Sequence, residues 1–279
     1  PSWTALAEIQ VLAAHMGVIP AREACSTARS ALATAARLEG DSADGCHAEA
    51  FIAFIERRWG AMEAAWRRAL ELQPTHVQAL GSLAIALCTR QRLDDAMPLF
   101  ECARQADPLG SFPCMLTGGG LMNCGRLEDA NRSLDDALSF EHEDASALFF
   151  GAMAKVALGK FEEAVALSEH GVAVSRRAAQ FLGVMGWVLA NAGRHGEART
   201  ILEELRTRPA TAPTAVSEAW LLGALGEIDA AFELLGRAEE ECQALLYYTG
   251  LPGFDPLRAD QRFSGLLERL GLTSVARLP

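Results

Sequence analysis

Seven positions of this chain recur at a near-constant interval. Ala28, Met62, Ala96, Ala130, Ala164 and Ala198 follow one another at steps of 34 residues, and Ala231 follows after 33. A period in the thirties marks one supersecondary unit copied in tandem, each copy burying its apolar face against the next. A chain built this way needs no single globular core, so 279 residues do not imply several conventional domains.

The unit reads as a pair of helices. Around Ala96, the stretch Val77 to Thr89 carries Leu80, Leu83, Ala84 and Leu87 at three- and four-residue spacing, which makes one apolar helical face. Arg90 to Arg92 interrupts the pattern. Leu93, Ala96, Met97, Phe100 and Ala103 then form a second face. Asp107-Pro108 ends it, because proline disfavours helical backbone in the residue before it.

Other places in the unit are as regular. Twelve residues before the marker stands a small residue (Ala50, Ala84, Gly118, Ala152, Gly186, Ala219), so the paired helices can approach closely. Five residues before it, glycine recurs as Gly125, Gly159, Gly193 and Gly226. Glycine tolerates the left-handed backbone that closes a helix before a tight turn. Arg57 and Gln91 occupy that place in earlier copies, which predicts a different turn there. Seven residues after it come Ala35, Ala69, Ala103, Ala137 and Ala238, with Gly171 and Leu205 between.

These spacings resemble the tetratricopeptide repeat, in which small, glycine, alanine, alanine and proline positions follow in this order. Gly186, Gly193 and Ala198 match it in one copy, and Ala84, Ala96, Ala103 and Pro108 in another. The chain departs from it at Met62 and Leu205, and the closing proline persists only as Pro74 and Pro108. The resemblance implies an all-α fold: a right-handed superhelical solenoid of about seven hairpins over residues 1–244, with a C-terminal capping segment over 245–279. There Phe254-Asp255-Pro256-Leu257 leads into Leu266, Leu267, Leu270 and Leu272, and Asp260 is placed to cap the last helix. This ending resembles the tails of repeat arrays found behind bacterial winged-helix regulators, serine/threonine kinases and nucleotide cyclases.

In such arrays the first helix of each pair lines the concave surface. By that geometry the inward places read His47, Phe51 and Phe54; Gly81, Ile85 and Cys88; Met115, Gly119 and Met122; Phe149, Met153 and Val156; Gly183, Trp187 and Ala190; and Val216, Trp220 and Gly223. Lysine and arginine are absent from them. Asn123 and Asn191 lie beside the face, so the clamp that some members use for a peptide's terminal carboxylate has no counterpart. What remains is an aromatic and methionine surface suited to burying an apolar partner. The expected binding residues are Phe51, Phe54, Ile85, Met115, Gly119, Met122, Phe149, Met153, Trp187 and Trp220. Self-packing of these side chains, or occupancy by the chain's own segment or a second copy, is the competing expectation.

Composition narrows the functions. The formal charge of −11 argues against direct binding of nucleic acid, because phosphate backbones attract basic surfaces. Arg57-Arg58 and Arg67-Arg68 alternate with acids and read as solvated helix faces. No apolar run approaches the ~18 residues that span a membrane. Seven cysteines without a two-residue gap suit free thiols in a reducing cytoplasm rather than a disulfide framework or a zinc site. Pro1 is not an initiator methionine, as in a processed chain or a fragment.

Catalytic and cofactor sites are not expected. Cys46 and His47 are adjacent, so on a helix they diverge by roughly 100° and make a poor nucleophile–base pair. His142 among Glu141, Glu143 and Asp144 reads as a solvated acidic turn. Gly118-Gly119-Gly120 lacks the Lys-Ser or Lys-Thr of a phosphate loop and falls inside a helix, where Gly119 leaves room on the concave side. The first functional expectation is therefore a non-catalytic, cytoplasmic binding module, without metal or cofactor, for a protein or peptide partner, a helix or a hydrophobic small molecule, with a homodimer as a further option. The second is the sensor region of a longer bacterial signalling protein. The third, an enzyme built on the array, would rest on His47 and the nearby Glu49.

Overall fold

A computed structural model describes residues 2–15, 19–208 and 214–272; the end of the expected capping segment, 273–279, lies outside them. Among the described residues the chain is all-helical, without a strand. Fourteen helices pair in chain order: α1 (Trp3–His15) with α2 (Ala21–Glu39), α3 (Ala43–Ile55) with α4 (Trp59–Leu72), α5 (Val77–Thr89) with α6 (Leu93–Ala106), and α7 (Ser111–Asn123) with α8 (Leu127–Phe140). Then follow α9 (Ala145–Ala157) with α10 (Phe161–Val174), α11 (Ala179–Asn191) with α12 (His195–Arg206), and α13 (Ala215–Ala224) with α14 (Ile228–Glu240). Two short 3-10 helices, Ala244–Tyr247 and Pro252–Leu257, precede the last helix, α15 (Gln261–Leu270). None of these helices is long and apolar enough to cross a membrane.

The periodic residues form the spine of the stack. All seven markers, from Ala28 through Met62 to Ala231, have no solvent exposure. Met62 fits although it is larger than alanine. The small residues opposite them, such as Ala84, Ala152 and Ala219, are equally buried.

The six turns inside the pairs from α3–α4 to α13–α14 share one backbone, contrary to the expectation for Arg57 and Gln91. Both adopt φ 59°, beside φ 72–81° for Gly125, Gly159, Gly193 and Gly226. Each turn closes with the same bond, as from Arg58 N to Ala53 O at 2.8 Å and from Arg126 N to Leu121 O at 2.9 Å. A non-glycine residue in the left-handed region costs about 1–2 kcal/mol. Partners offset that cost here: Arg57 pairs with Glu239 at 3.4 Å, and Gln91 Nε2 donates to Cys88 O at 3.2 Å.

Helix starts have separate local causes. Ser42 accepts from Gly45 N, and Asp144 from Ser146 N and Ala147 N. His76 Nδ1 accepts from Ala79 N at 3.1 Å, and Asp260 accepts from Arg262 N at 2.9 Å, so Asp260 does cap the final helix. The arginine pairs are matched by acids as expected: Arg58 with Glu56, Arg67 with Glu63 and Arg68 with Glu71. Cys25, Cys46, Cys88 and Cys114 are buried, whereas Cys102 is exposed.

The odd-numbered helices line the inner side and pack on their neighbours, with one interruption: α3 and α5 are not in close mutual contact. Trp66 of the outer helix α4 fills this gap. Its Nε1 donates to His47 Nδ1 at 3.0 Å, and the His47 and His76 rings stand 5.3 Å apart.

Candidate functional site

After α14 the chain turns back across the inner face and reaches the second helix pair. Tyr247 Oη donates to Ile55 O at 2.9 Å, Trp59 Nε1 donates to Leu270 O at 3.0 Å, and the Phe54 and Tyr247 rings meet edge-on at 5.3 Å. Midway, Gly250 N donates to Asn123 Oδ1 at 2.7 Å. A side chain at Gly250 would overlap the Asn123 carbonyl, so only glycine permits this approach. Asn123 is itself fixed, because its Nδ2 donates to Thr89 Oγ1 at 3.1 Å. The second 3-10 helix lies against α13 and α9, with Phe254 edge-on to Trp220 at 5.3 Å.

This strap divides the concave face into two parts. Toward the C-terminal end the face is filled: Trp187 and Trp220 are 1% and 0% exposed, and both indole N–H groups are buried without an acceptor. Met122 and Met153 are also fully buried. These four residues of the expected set are packed and are not among those that line the neighbouring cavity. Beside this filled part a cavity of about 240 Å³ remains, lined from α1 as far as Gln180 and Phe181 at the start of α11. Phe51, Phe54, Ile85, Met115, Gly119 and Phe149 line it, each brought there by the inner face of α3, α5, α7 or α9.

Other lining residues were outside the expected register. Phe112, Ser146 and Gln180 stand at one equivalent place in successive repeats, a helical turn from the expected stripe, and Ser82, Leu116 and Phe150 share another. A wider apolar stripe on the inner helices would have found Phe112, Leu116 and Phe150, though not Ser82, Ser146 or Gln180. Trp66 enters through the α3–α5 gap, Leu12 and His15 come from α1, and Leu245, Tyr248 and Leu251 come from the strap. No periodic signal marks that last group.

The chamber is apolar and uncharged. Among the described residues its wall contains no lysine, arginine, aspartate or glutamate. Its polar groups are Ser82, Ser146, Gln180, Trp66, His15 and Tyr248. Burial pushes the His15 imidazole down to about 4, so the ring is neutral at ordinary pH, and burial pushes the Tyr248 hydroxyl up. His47, behind the wall, is also held to about 4, first by burial and then by His76, against the opposing pull of Asp44. The one expected catalytic candidate is therefore spoken for. His47 is 7% exposed and accepts the Trp66 N–H, while Cys46 has its thiol raised by burial and then by Glu49. No group of three or more histidine, cysteine or carboxylate side chains capable of holding a metal occurs among the described residues. Gly119 borders the chamber, with Phe150 at 3.6 Å from where a β-carbon would stand.

No protein-family model matches the chain, and no curated protein matches it in sequence. Solved structures do match in shape. PilF of Pseudomonas aeruginosa superposes with a TM-score of 0.52 at 17% identity, over 78% of this chain and 97% of that one. A tetratricopeptide repeat protein of Parabacteroides merdae gives 0.55 at 14% identity, over 96% and 98%. The human IFIT1 dimer with PPP-AAAA gives 0.62 at 14% identity, over 88% of this chain and 59% of that one. Helix pairing, the buried small-residue spine and these superpositions agree: the chain has the fold of a tetratricopeptide-repeat array.

Proposed function

We propose that this chain is a non-catalytic binding module whose inner cavity receives a compact apolar ligand. Arrays of this fold serve as interaction scaffolds, and a role in binding follows from that in general. The narrower reading rests on one observation. The strap occupies the length of groove that an extended peptide or helix would need, yet it leaves an uncharged chamber roofed by Tyr248 and Leu251. The PPP-AAAA of the human neighbour is not carried over, because the wall offers no cation to a phosphate.

The test is titration with a small uncharged solvatochromic dye such as 4-(dimethylamino)benzonitrile. Wild-type protein is expected to shift its emission saturably, and Phe149→Ala together with Phe51→Ala to weaken the response about tenfold or more, since each large apolar side chain contributes about 1.5–3 kcal/mol when fully buried. An unchanged dye response in the double variant would sink the reading.

A second reading is supported by the same strap. The cavity roof and the tie from Tyr247 to Ile55 belong to one segment, so an occupant would press on the contact that joins the two ends of the array. This arrangement suits a sensor region that relays occupancy to another module. The full open reading frame of the gene tests it: an effector domain encoded in the same frame is the expected result, and its absence removes the idea.

A further inference from the structure

Two polar groups in the cavity wall come from opposite ends of the chain and satisfy each other poorly. His15 closes α1 and Tyr248 lies in the strap; the Tyr248 hydroxyl is 3.5 Å from His15 Nε2, at the outer limit of a hydrogen bond. Among the described residues His15 Nδ1 has no hydrogen-bond partner, and it is sealed off from the chamber, which leaves the loose pair of Nε2 and the Tyr248 hydroxyl as the polar group a ligand can complete. The His15 ring is otherwise held by aromatic edges, with Phe51 at 5.3 Å and Phe54 at 5.9 Å. A buried donor or acceptor left unpaired is costly, and a bound molecule that pairs with it recovers that cost. The rest of the wall sets the opposite condition for charge. An ammonium would find no carboxylate, and a carboxylate or phosphate no lysine or arginine. A buried ion without a counter-ion is strongly disfavoured.

Resting on the reading of the chamber as a ligand site, we infer that its ligand is an uncharged, mainly apolar small molecule with one hydroxyl or carbonyl group, which hydrogen-bonds to His15 and Tyr248. Size limits it further. A dry cavity of 150 Å³ accommodates benzene, so one of about 240 Å³ accommodates about ten non-hydrogen atoms. Eight-carbon chains with a single polar head fall in this range.

Three probes of equal chain length isolate the head group. The whole chain is loaded with 4-(dimethylamino)benzonitrile, a dye of the chamber's size, near neutral pH, and the dye is displaced with 1-octanol, octanoate or octylammonium. Octanol is expected to displace the dye at a concentration at least about tenfold below that of either ion. His15→Phe and Tyr248→Phe keep the rings and remove the polar atoms. Each is expected to weaken octanol severalfold, relative to the dye's own affinity measured in that variant, while leaving the circular dichroism spectrum unchanged. Having two variants guards against misfolding of either. If the dye binds but octanoate or octylammonium equals octanol, or neither variant alters octanol, the head-group assignment is overturned while the ligand-site reading stands. If the dye itself fails to bind, the ligand-site reading falls and this inference falls with it.

Discussion

The two halves of the concave face start from similar residues and end differently. Phe51, Ile85 and Gly119, on α3, α5 and α7, stand at the same repeat position as Trp187 and Trp220 on α11 and α13. The first group borders a chamber, and the tryptophans are sealed, Trp220 beneath Phe254 and the second 3-10 helix. Repeat position determines only that a side chain faces inward. Whether it meets space or protein depends on where the chain's own tail lies. An inward apolar stripe is therefore weak evidence for a ligand site until the path of the flanking segment is known.

The largest expected effect tests the sealed half. Trp220→Ala should cost about 3–5 kcal/mol in chemical denaturation, as for large aromatic side chains removed from a packed core. Phe51→Ala, on the half-buried cavity wall, should cost clearly less. Equal losses would mean that the N-terminal half is packed as tightly as the other.

Acid comes next, and it acts on the open half. His47 titrates near 6.5 when unfolded and near 4 when folded. As pH falls, the unfolded chain takes up the proton first, so stability is complete above about 6.5 and declines down to about 4. The accumulated loss for this 7% exposed group is roughly 3 kcal/mol, and His15 acts in the same direction. Denaturation midpoints measured from pH 7.5 to 4.5 should show a shallower decline in His47→Phe than in wild type. A parallel decline would place the acid sensitivity elsewhere.

A smaller effect concerns the boundary between the halves. Tyr247→Phe removes the bond to Ile55 O and should cost about 1 kcal/mol. Hydrogen exchange across residues 244–258 should quicken before that of α5–α9. Uniform quickening would show that the strap is not a separate unit.

The smallest stability change should carry the largest functional one. At Gly119 a β-carbon has ordinary contact with Phe150, and Leu is about 0.5–1 kcal/mol better than Gly in a helix interior. Gly119→Leu should leave the melting temperature level or slightly raised while its side chain fills the chamber and abolishes dye binding. Retained binding would show that the chamber is not the site.

Local pattern was enough for much of this. The spacing from Ala28 to Ala231 reads directly as stacked helix pairs, because the helical period and a left-handed turn are decided within a few residues. Even Arg57 and Gln91, which suggested another turn, follow the common backbone, since a penalty of a kilocalorie or two is small beside the packing of a whole repeat. The inward places of α3, α5, α7 and α9 were legible for the same reason. His15, Tyr248 and Leu251 were not, because they meet the wall from outside the repeat register.

By itself the sequence determined the helices, their pairing and the apolar character of the inner face, all written in spacings of three, four and 34 residues. Tertiary structure alone decided that the face is half closed. That closure depends on contacts such as Tyr247 with Ile55 and Gly250 with Asn123, which join residues 192 and 127 positions apart. Contacts over such distances leave no periodic trace, because their partners become neighbours only after the stack has curved round to bring its ends together.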